Sequence, residues 1–211
     1  MKKVGFVSLG CPKNLVDSEV MMGQLAGAGF EITSDAGEAD TVVVNTCGFI
    51  ESAKQESVDA ILEATRWKSE GKANRVIVAG CLVERYRDDL IKELPEVDAF
   101  IGTSQVGEIL KAADEKFDAR KLTARPIGNK SATYLYDEKS PRIRATDSHT
   151  AFIKIAEGCD RPCAFCSIPG MRGSFRSRRF GSIIEEAREL ARQGVKELVL
   201  FPISITSAQT A

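Results

Sequence analysis

The sequence predicts an α/β protein whose amino-terminal domain is a parallel sheet covered by helices, in three layers. Over residues 1–117, short β-branched runs alternate with amphipathic helical stretches, and this alternation is typical of a parallel sheet with helical connections. The same βα alternation resumes at residue 151. The 211 residues are 43% apolar and 28% charged, which is the composition of a globular protein with a sizeable core.

Nine elements are predicted in the first 117 residues. The strands are runs of β-branched and aromatic residues, and the helices repeat apolar residues at intervals of three and four. The predicted strands are Lys3–Leu9, Phe30–Thr33, Thr41–Asn45, Arg75–Ala79 and Ala99–Gly102. The predicted helices are Asn14–Ala28, Ile50–Glu70, Glu84–Leu94 and Val106–Glu115.

Residues 118–150 lack periodicity and contain Pro126, Gly128 and Pro141, so they are predicted to be a linker with at most a short strand at Thr133–Leu135. Residues 151–211 are then expected to begin a second domain. Its predicted elements are a strand at Ala151–Ala156, a helix at Ser182–Gln193 with Ser182 as its N-cap, and a strand at Glu197–Phe201.

The distribution of charge suggests two parts with different partners, and the hydropathy argues against a membrane-spanning protein. Residues 1–117 carry 13 Lys+Arg against 20 Asp+Glu, whereas residues 118–211 carry 16 against 10, so the two parts are expected to face different partners. The longest apolar runs, Val4–Leu9 and Thr41–Val44, are far shorter than the roughly 20 residues that span a bilayer. With no membrane segment or export signal, a reducing cytoplasmic location is expected, and disulfides are not.

Six cysteines therefore need another explanation. Cys159, Cys163 and Cys166 form a C-x3-C-x2-C run directly after a predicted strand. Cys11, Cys47 and Cys81 are far apart in sequence, but each follows the end of a predicted strand. Because the carboxyl ends of parallel strands share one edge of a sheet, this second set is predicted to converge.

Several chemistries fit these thiols. Any single cysteine of the dispersed set could be a small buried apolar residue. A structural zinc at the clustered set would need a fourth ligand, for which His149 is the single histidine in the sequence. A redox pair at Cys163 and Cys166 would leave Cys159 without a role. An iron–sulfur cluster held by three thiolates fits the count better, and it leaves one iron open for a further ligand.

The clustered set, with Phe165 before its last cysteine, is similar to the cluster loop of the radical S-adenosylmethionine enzymes. In that superfamily the loop follows the first strand of a βα, partial TIM-like barrel. The resemblance implies a 4Fe-4S cluster on Cys159, Cys163 and Cys166 that binds S-adenosylmethionine. It also implies that Phe165 contacts the adenine side of this cofactor.

Further motifs resemble the methylthiotransferases within that superfamily, and among them the ribosomal protein branch. This resemblance implies a second 4Fe-4S cluster on Cys11, Cys47 and Cys81 and a methylthio group added to the β-carbon of an aspartate in small-subunit ribosomal protein twelve. It implies the ribosome and an electron donor such as flavodoxin or ferredoxin as partners. The motifs are Gly10–Glu19, Val44–Ile50, Ala79–Leu82 and Ile168–Arg178.

Two alternatives remain from the same residues. A tRNA-adenosine methylthiotransferase would carry Gln-Met-Asn after the first cysteine, where this chain has Pro12-Lys13-Asn14. An inactive fragment that retains only cluster binding would explain the end of the sequence. The family's barrel has more strands than the two predicted here, and after Leu200 the chain departs from the family pattern. We therefore expect a truncated radical S-adenosylmethionine domain with little or no turnover by itself.

Polar residues near these motifs have less specific signals. Arg172, Arg176, Arg178 and Arg179 are candidates for binding a cofactor carboxylate or an acidic partner, although a solvated basic turn is an equal explanation. Asn14 and Asp17 are candidates to face the first cysteine set. For Asp17 the favoured interpretation is an ordinary first-turn helix residue that complements the helix dipole.

Metal analysis after anaerobic reconstitution separates the iron–sulfur interpretation from zinc. Two clusters of four irons would give about eight irons per chain and no zinc. One equivalent of zinc with negligible iron would contradict the prediction.

Overall fold

A computed structural model describes residues 1–117, 134–161 and 163–202. Its first part contains a five-stranded sheet in the order β2-β1-β3-β4-β5, and every neighbouring pair is parallel. This order confirms the predicted parallel α/β class. The strands are β1 Lys3–Ser8, β2 Glu31–Thr33, β3 Thr41–Thr46, β4 Arg75–Gly80 and β5 Ala99–Ile101.

Helices cover both faces of this sheet. The helices α1 and α4 share one apolar core with the sheet, and α2 and α3 share the other. Because the chain leaves β1 toward one edge and continues from β3 toward the other, the strand order reverses between β1 and β3, where sheets of this type bind ligands. The helices are α1 Pro12–Gly27, α2 Glu51–Ser69, α3 Cys81–Glu93 and α4 Ile109–Ala113.

The central strands are continuous apolar runs because both of their faces are covered. Val42, Val43 and Val44 of β3 are completely buried, with successive side chains in opposite cores. Such a run, rather than an alternation of polar and apolar residues, is the pattern of a parallel strand between two helical layers. The sheet therefore forms a rigid support for the loops at its carboxyl edge.

The second part contains a parallel strand pair joined through a helix. Strand β6 pairs with β9 in register from Thr150↔Glu197 to Lys154↔Phe201, and α6 packs over the pair. Three short elements that the sequence does not signal lie between them: α5 and an antiparallel pair, β7 with β8. The bounds are β6 Thr150–Lys154, β7 Ala156–Glu157, α5 Ile168–Arg172, β8 Arg176–Ser177, α6 Phe180–Arg192 and β9 Glu197–Phe201.

Several predicted boundaries were wrong. Helix α3 begins at Cys81 and not at Glu84, with a kink at Tyr86. Helix α6 begins at Phe180, so Ser182 lies inside it and is not its N-cap; there its hydroxyl accepts a hydrogen bond from Arg178. The helix predicted over Val106–Glu115 is a 3-10 stretch at Thr103–Glu108 followed by the short α4.

Two other predictions lie partly outside the described residues. The strand predicted at Thr133–Leu135 has its first residue outside them, and residues 134 and 135 have no strand pairing. The departure from the family pattern after Leu200 falls mainly on residues 203–211. No helix in the described ranges combines the length and the apolar character that crossing a bilayer requires.

Residues 134–149 run along α1 and join it to the second part. The backbone N–H of Ile143 donates to the carbonyl of Glu19 in α1, at 3.0 Å. The buried Arg142 guanidinium forms ion pairs with Glu19 and, at 2.7 Å, with Glu186 of α6. One cation thus bridges a helix of the first part and a helix of the second.

Gly23 lies where this segment crosses α1. A Cβ built on Gly23 would approach the backbone of Pro141 and Arg142 to 2.4–2.5 Å, whereas one on Gly27, in the same helix, has nothing within 4 Å. We expect Gly23→Ala to lower the free energy of unfolding by about 1–3 kcal/mol through overpacking. Gly27→Ala is expected to leave it unchanged or raise it by up to about 1 kcal/mol. Urea unfolding of both variants tests the contact, and equal effects would contradict it.

Candidate metal centre

The dispersed cysteines all lie at the carboxyl edge of the five-stranded sheet. Cys11 is the N-cap of α1 and lies three residues after the end of β1, and Cys47 follows the last residue of β3. Cys81 follows β4 and is the first residue of α3. Two of the three loops therefore flank the position where the strand order reverses, and the third is next to it.

The glycines beside these cysteines allow the loops to touch. A Cβ on Gly10 would lie 2.8 Å from the Cβ of Cys47 and 3.2 Å from its Sγ, and the φ of Gly10 is +88°. A Cβ on Gly48 would lie 3.1 Å from the carbonyl of Cys81. Since larger residues would separate these loops, the glycines bring the Cys11, Cys47 and Cys81 loops into contact.

Asn14, in the first turn of α1, connects the three loops through its side-chain amide. Its Nδ2 donates to the carbonyl oxygens of Leu9, at 3.0 Å, and Thr46, at 2.7 Å, which precede the first two cysteine turns. Its Oδ1 lies 3.8 Å from Cys81 Sγ. Asn14 itself is buried, so its amide fixes the relative positions of these backbone segments.

The Cys47 loop has additional support from α2. The hydroxyl of Ser57 accepts a hydrogen bond from the Cys47 N–H at 3.0 Å and lies 3.0 Å from the Cys47 carbonyl oxygen. Arg85 of α3 donates to the carbonyl of Gly48 at 2.9 Å. Neither Ser57 nor Arg85 can be identified from the sequence, because a serine or arginine on a helix carries no signal that it will hydrogen-bond to a loop.

The clustered cysteines lie in a more open loop. The Cys159 N–H donates to the carbonyl of Gly173 at 3.0 Å, and the Cys166 N–H donates to the carbonyl of Cys163 at 3.1 Å. Cys163 is exposed, and Phe165 is 94% exposed. In the parts of the chain that are described, no three His, Cys, Asp or Glu side chains are arranged to hold a single metal ion.

A buried group of charges lies between the two cysteine sets. Arg172 of α5 forms ion pairs with Asp17 at 2.7 Å and with Glu157 at 3.2 Å, and its other terminal nitrogen donates to Asn14 Oδ1. Lys154 of β6 pairs with the same two carboxylates, at 2.8 Å in the case of Glu157. The two cations and two anions form a closed group, called here the interface ion cluster.

Electrostatics in the interface ion cluster favour its charged form. Burial alone would oppose ionisation of Glu157, but Lys154 and Arg172 outweigh that effect and hold the pKa of this carboxyl well below its usual range. Nearby Lys13 donates to the carbonyl of Ala156, and among the described residues no carboxylate forms an ion pair with it, so burial lowers its pKa to about 8. Lys13 is thus the cation of this region that most easily loses its proton.

These contacts correct the interpretation of three polar residues. Asp17 is a buried partner of Lys154 and Arg172, so the first-turn dipole explanation was wrong. Arg172 is paired inside the protein, as described above. Arg178 is also buried, where it pairs with Glu186 and stacks 4.3 Å from the centre of the Tyr136 ring. A solvated basic turn therefore does not describe Arg172 or Arg178.

The burial of Cys81 distinguishes it from the other five thiols. It is 6% exposed, and burial raises the pKa of its thiol to about 11, against an opposing effect of the Arg172 charge. The remaining cysteines are half-buried or exposed. Burial therefore opposes the formation of a thiolate at Cys81.

The fold and site define an α/β protein with two sets of three free cysteines, one at the carboxyl edge of a doubly wound sheet and one in a loop after a βα strand. Comparison with known proteins shows what this chain is similar to. Residues 3–102 match the family described as "Uncharacterized protein family UPF0004".

Three curated relatives carry the name "Ribosomal protein uS12 methylthiotransferase RimO". The relative from Solibacter usitatus is 55% identical over 94% of this chain and 41% of its own length. The relatives from Koribacter versatilis and Bdellovibrio bacteriovorus are 51% and 48% identical, over 95% and 97% of this chain and 47% and 44% of their own lengths. The chain is similar to these methylthiotransferases, and it spans less than half the length of these relatives.

The burial of Cys81 predicts an order of alkylation in the metal-free folded chain. At pH 8, a thiol with a pKa of about 11 has about 100-fold less thiolate than one at the ordinary value of 9.0. Iodoacetamide should therefore modify the exposed Cys11 and Cys163 before Cys81, and the rate at Cys81 should rise as the pH approaches 11. Peptide mapping by mass spectrometry measures the order, and the urea-unfolded chain is the control. Equal rates at Cys81 and Cys163 in the folded chain would contradict the assignment.

Proposed function

We propose that this protein acts as a methylthiotransferase on the β-carbon of an aspartate in a small-subunit ribosomal protein, by radical S-adenosylmethionine chemistry. The observation that carries the proposal is the presence of two three-cysteine sets joined through one buried cluster of charges. The names of the relatives support the ribosomal protein substrate. Neither the site nor the relatives favour the tRNA-modifying alternative or an inactive fragment.

The first cysteine set has the donor chemistry for a 4Fe-4S cluster. Cys11, Cys47 and Cys81 supply three thiols from adjoining loops, and thiolate is the usual ligand of such clusters. The glycines beside them leave no side chain between the loops. The cation Arg172 lies against this set, where it would compensate the negative charge of the thiolates. We assign these three cysteines as the ligands of one cluster.

The second set is assigned to another 4Fe-4S cluster, which would bind S-adenosylmethionine. Cys159, Cys163 and Cys166 would be its ligands, and their loop is held at its start by the Gly173 carbonyl. The exposed ring of Phe165 gives this loop an apolar face on which an adenine could stack. When bound, the two clusters and S-adenosylmethionine supply the electron, the radical, the sulfur and the methyl group.

The chain's own residues then have three tasks. The sheet edge and Asn14 hold the loops of the first set at fixed separations. The interface ion cluster fixes the second part against the first, and with it the position of one cysteine set relative to the other. We propose the division of the chain into an amino-terminal domain at 1–117, a linker at 118–150 and the first part of a radical S-adenosylmethionine domain at 151–211.

The partners follow from the same chemistry. The reaction needs an electron donor, for which a flavodoxin or a ferredoxin is the proposed class, and the ribosome is a proposed context for the protein substrate. Six free thiols and air-sensitive clusters suit the reducing cytoplasm, where we propose that the protein works.

A hybrid protein tests this function. In the relative from Solibacter usitatus, residues 1–200 of this chain replace the segment that matches them. After anaerobic reconstitution, with reductant and S-adenosylmethionine, we expect the hybrid to add a methylthio group to uS12, measured by mass spectrometry of the aspartate-containing peptide.

Two variants of the hybrid assign the roles of the cysteine sets. Cys159→Ala should abolish both 5′-deoxyadenosine and the modified peptide. Cys47→Ala should still allow 5′-deoxyadenosine to form but yield no methylthio product. The hybrid without cysteine substitutions is the reference. If it holds about eight irons but leaves uS12 without a methylthio group, the proposed function of this segment is overturned.

A further inference from the structure

Arg172 lies between the two cysteine sets and contacts the framework of both. It is the last residue of α5, and the next residue, Gly173, accepts the hydrogen bond of the Cys159 N–H at 3.0 Å. In the other direction its side chain reaches Asn14 Oδ1. Asn14 in turn holds the carbonyls that precede the Cys11 and Cys47 turns, and it contacts Cys81 Sγ.

The side chain of Arg172 belongs to the second part of the chain, but its contacts support the first cysteine set. The two terminal nitrogens of its guanidinium group donate hydrogen bonds to Asp17, Glu157 and Asn14. Because Arg172 is also only 5% exposed, its side chain is held in one position. Within the described residues of 1–117, the hydrogen bond found to the Asn14 side-chain oxygen is the long one from Cys81 Sγ, at 3.8 Å, and this donor is lost when the thiol ionises. The first set is therefore complete only when α5 is packed against it.

We infer that Arg172 is a positioning residue for the Cys11, Cys47 and Cys81 site, which it completes from the second part of the chain by orienting Asn14 and placing a fixed positive charge beside the thiolates. This inference rests on the proposed function, because it assigns a role toward the cluster that these cysteines would hold. It goes further by making the stability and the reduction potential of that cluster depend on the second part.

The balance of charge gives the direction of the effect. Asp17 and Glu157 are matched by Lys154 and Arg172, and three thiolates add further negative charge next to Arg172. Replacing Arg172 by a neutral residue leaves this negative charge less compensated. Adding an electron to the site then becomes less favourable, so its reduction potential falls, and the loops also lose the contact that orients Asn14.

The test uses the full 211-residue chain with Cys159, Cys163 and Cys166 replaced by alanine, so that the bound iron belongs to the first set. After anaerobic reconstitution with iron and sulfide, this background chain should hold about four irons. Arg172→Met should weaken iron retention in a chelator competition by about 10- to 100-fold. In a dithionite titration followed by electron paramagnetic resonance, it should also shift the potential to a more negative value.

Two further variants separate position from charge. Arg172→Lys keeps the charge but lacks the second terminal nitrogen with which Arg172 reaches Asn14, so it should restore the potential more fully than the retention of iron. Asn14→Ala should weaken retention as Arg172→Met does, and the double variant should lose little more than either. Asn14→Ala keeps the inference testable if Arg172→Met does not fold.

Arg142→Met is the matched control. Arg142 is also a buried arginine that pairs with two carboxylates across the same interface, but its contacts are with Glu19, Glu186 and Phe152, away from the cysteine loops. It should lower the free energy of unfolding in urea and leave the potential unchanged.

The outcomes distinguish the inference from the function on which it rests. A background chain with four irons, in which Arg172→Met and Arg142→Met give the same retention and potential, would overturn the inference and leave the proposed function standing. A background chain that holds no iron would overturn both. Additive effects of Arg172→Met and Asn14→Ala would show that the two residues act separately, which also overturns it.

Discussion

The interface ion cluster is the constraint on which the arrangement of this protein depends. Its four charges are removed from water, and an isolated charge in such an environment costs several kcal/mol even after the protein relaxes. Each member is tolerated because it faces two partners of opposite sign. Asp17 comes from the first part and the other three members from the second, so neither part satisfies its own charges alone. The main effect of the cluster is therefore to specify how the two parts pack against each other, and its net contribution to stability is the smaller effect.

This constraint connects the fold to the site. Asp17 lies on α1 one turn after Asn14, and the same arginine binds both side chains. The helix thus presents one residue that fixes the second part and another that fixes the cysteine loops. A shift of α5 would disturb both contacts at once. The geometry at the sheet edge is consequently coupled to the packing of a helix that lies more than 80 residues beyond Cys81 in the sequence.

The sequence was sufficient for features that depend on local pattern. The strands at Lys3–Ser8 and Glu197–Phe201 follow from runs of β-branched and apolar residues, and the convergence of three cysteine loops follows from parallel strand order. The start of α3 was misplaced because Gly80 turns at a φ of +100° into the helix, and a helix beginning on a cysteine has no capping signal. The short α5 contains Pro169 and Gly170, which have low helix propensity.

The charged contacts could not be read from local pattern. Asp17 has the features of a first-turn acidic residue, yet its partners lie 137 and 155 residues further along the chain. Lysine and arginine side chains are ordinarily expected to reach solvent, even when the backbone that carries them is in a buried strand or a short helix. Lys154 and Arg172 are buried because Asp17 and Glu157 meet them there. Such pairing depends on the packed structure and has no period or spacing that a sequence could display.

The two cysteine sets differ in enclosure, and this difference is consistent with different roles. The first set is formed by three loops that are hydrogen-bonded to one another, and Cys81 is buried among them. The second set lies in one loop whose Cys163 and Phe165 face solvent. Under the proposed function, the second set needs an open face because it would admit a molecule as large as S-adenosylmethionine, whereas the first set benefits from ligands fixed in place because it would hold the group for transfer. The interface ion cluster contacts the first set, through Arg172 and Asn14. A change in the packing between the two parts would therefore alter the geometry of the set whose loops are more tightly held.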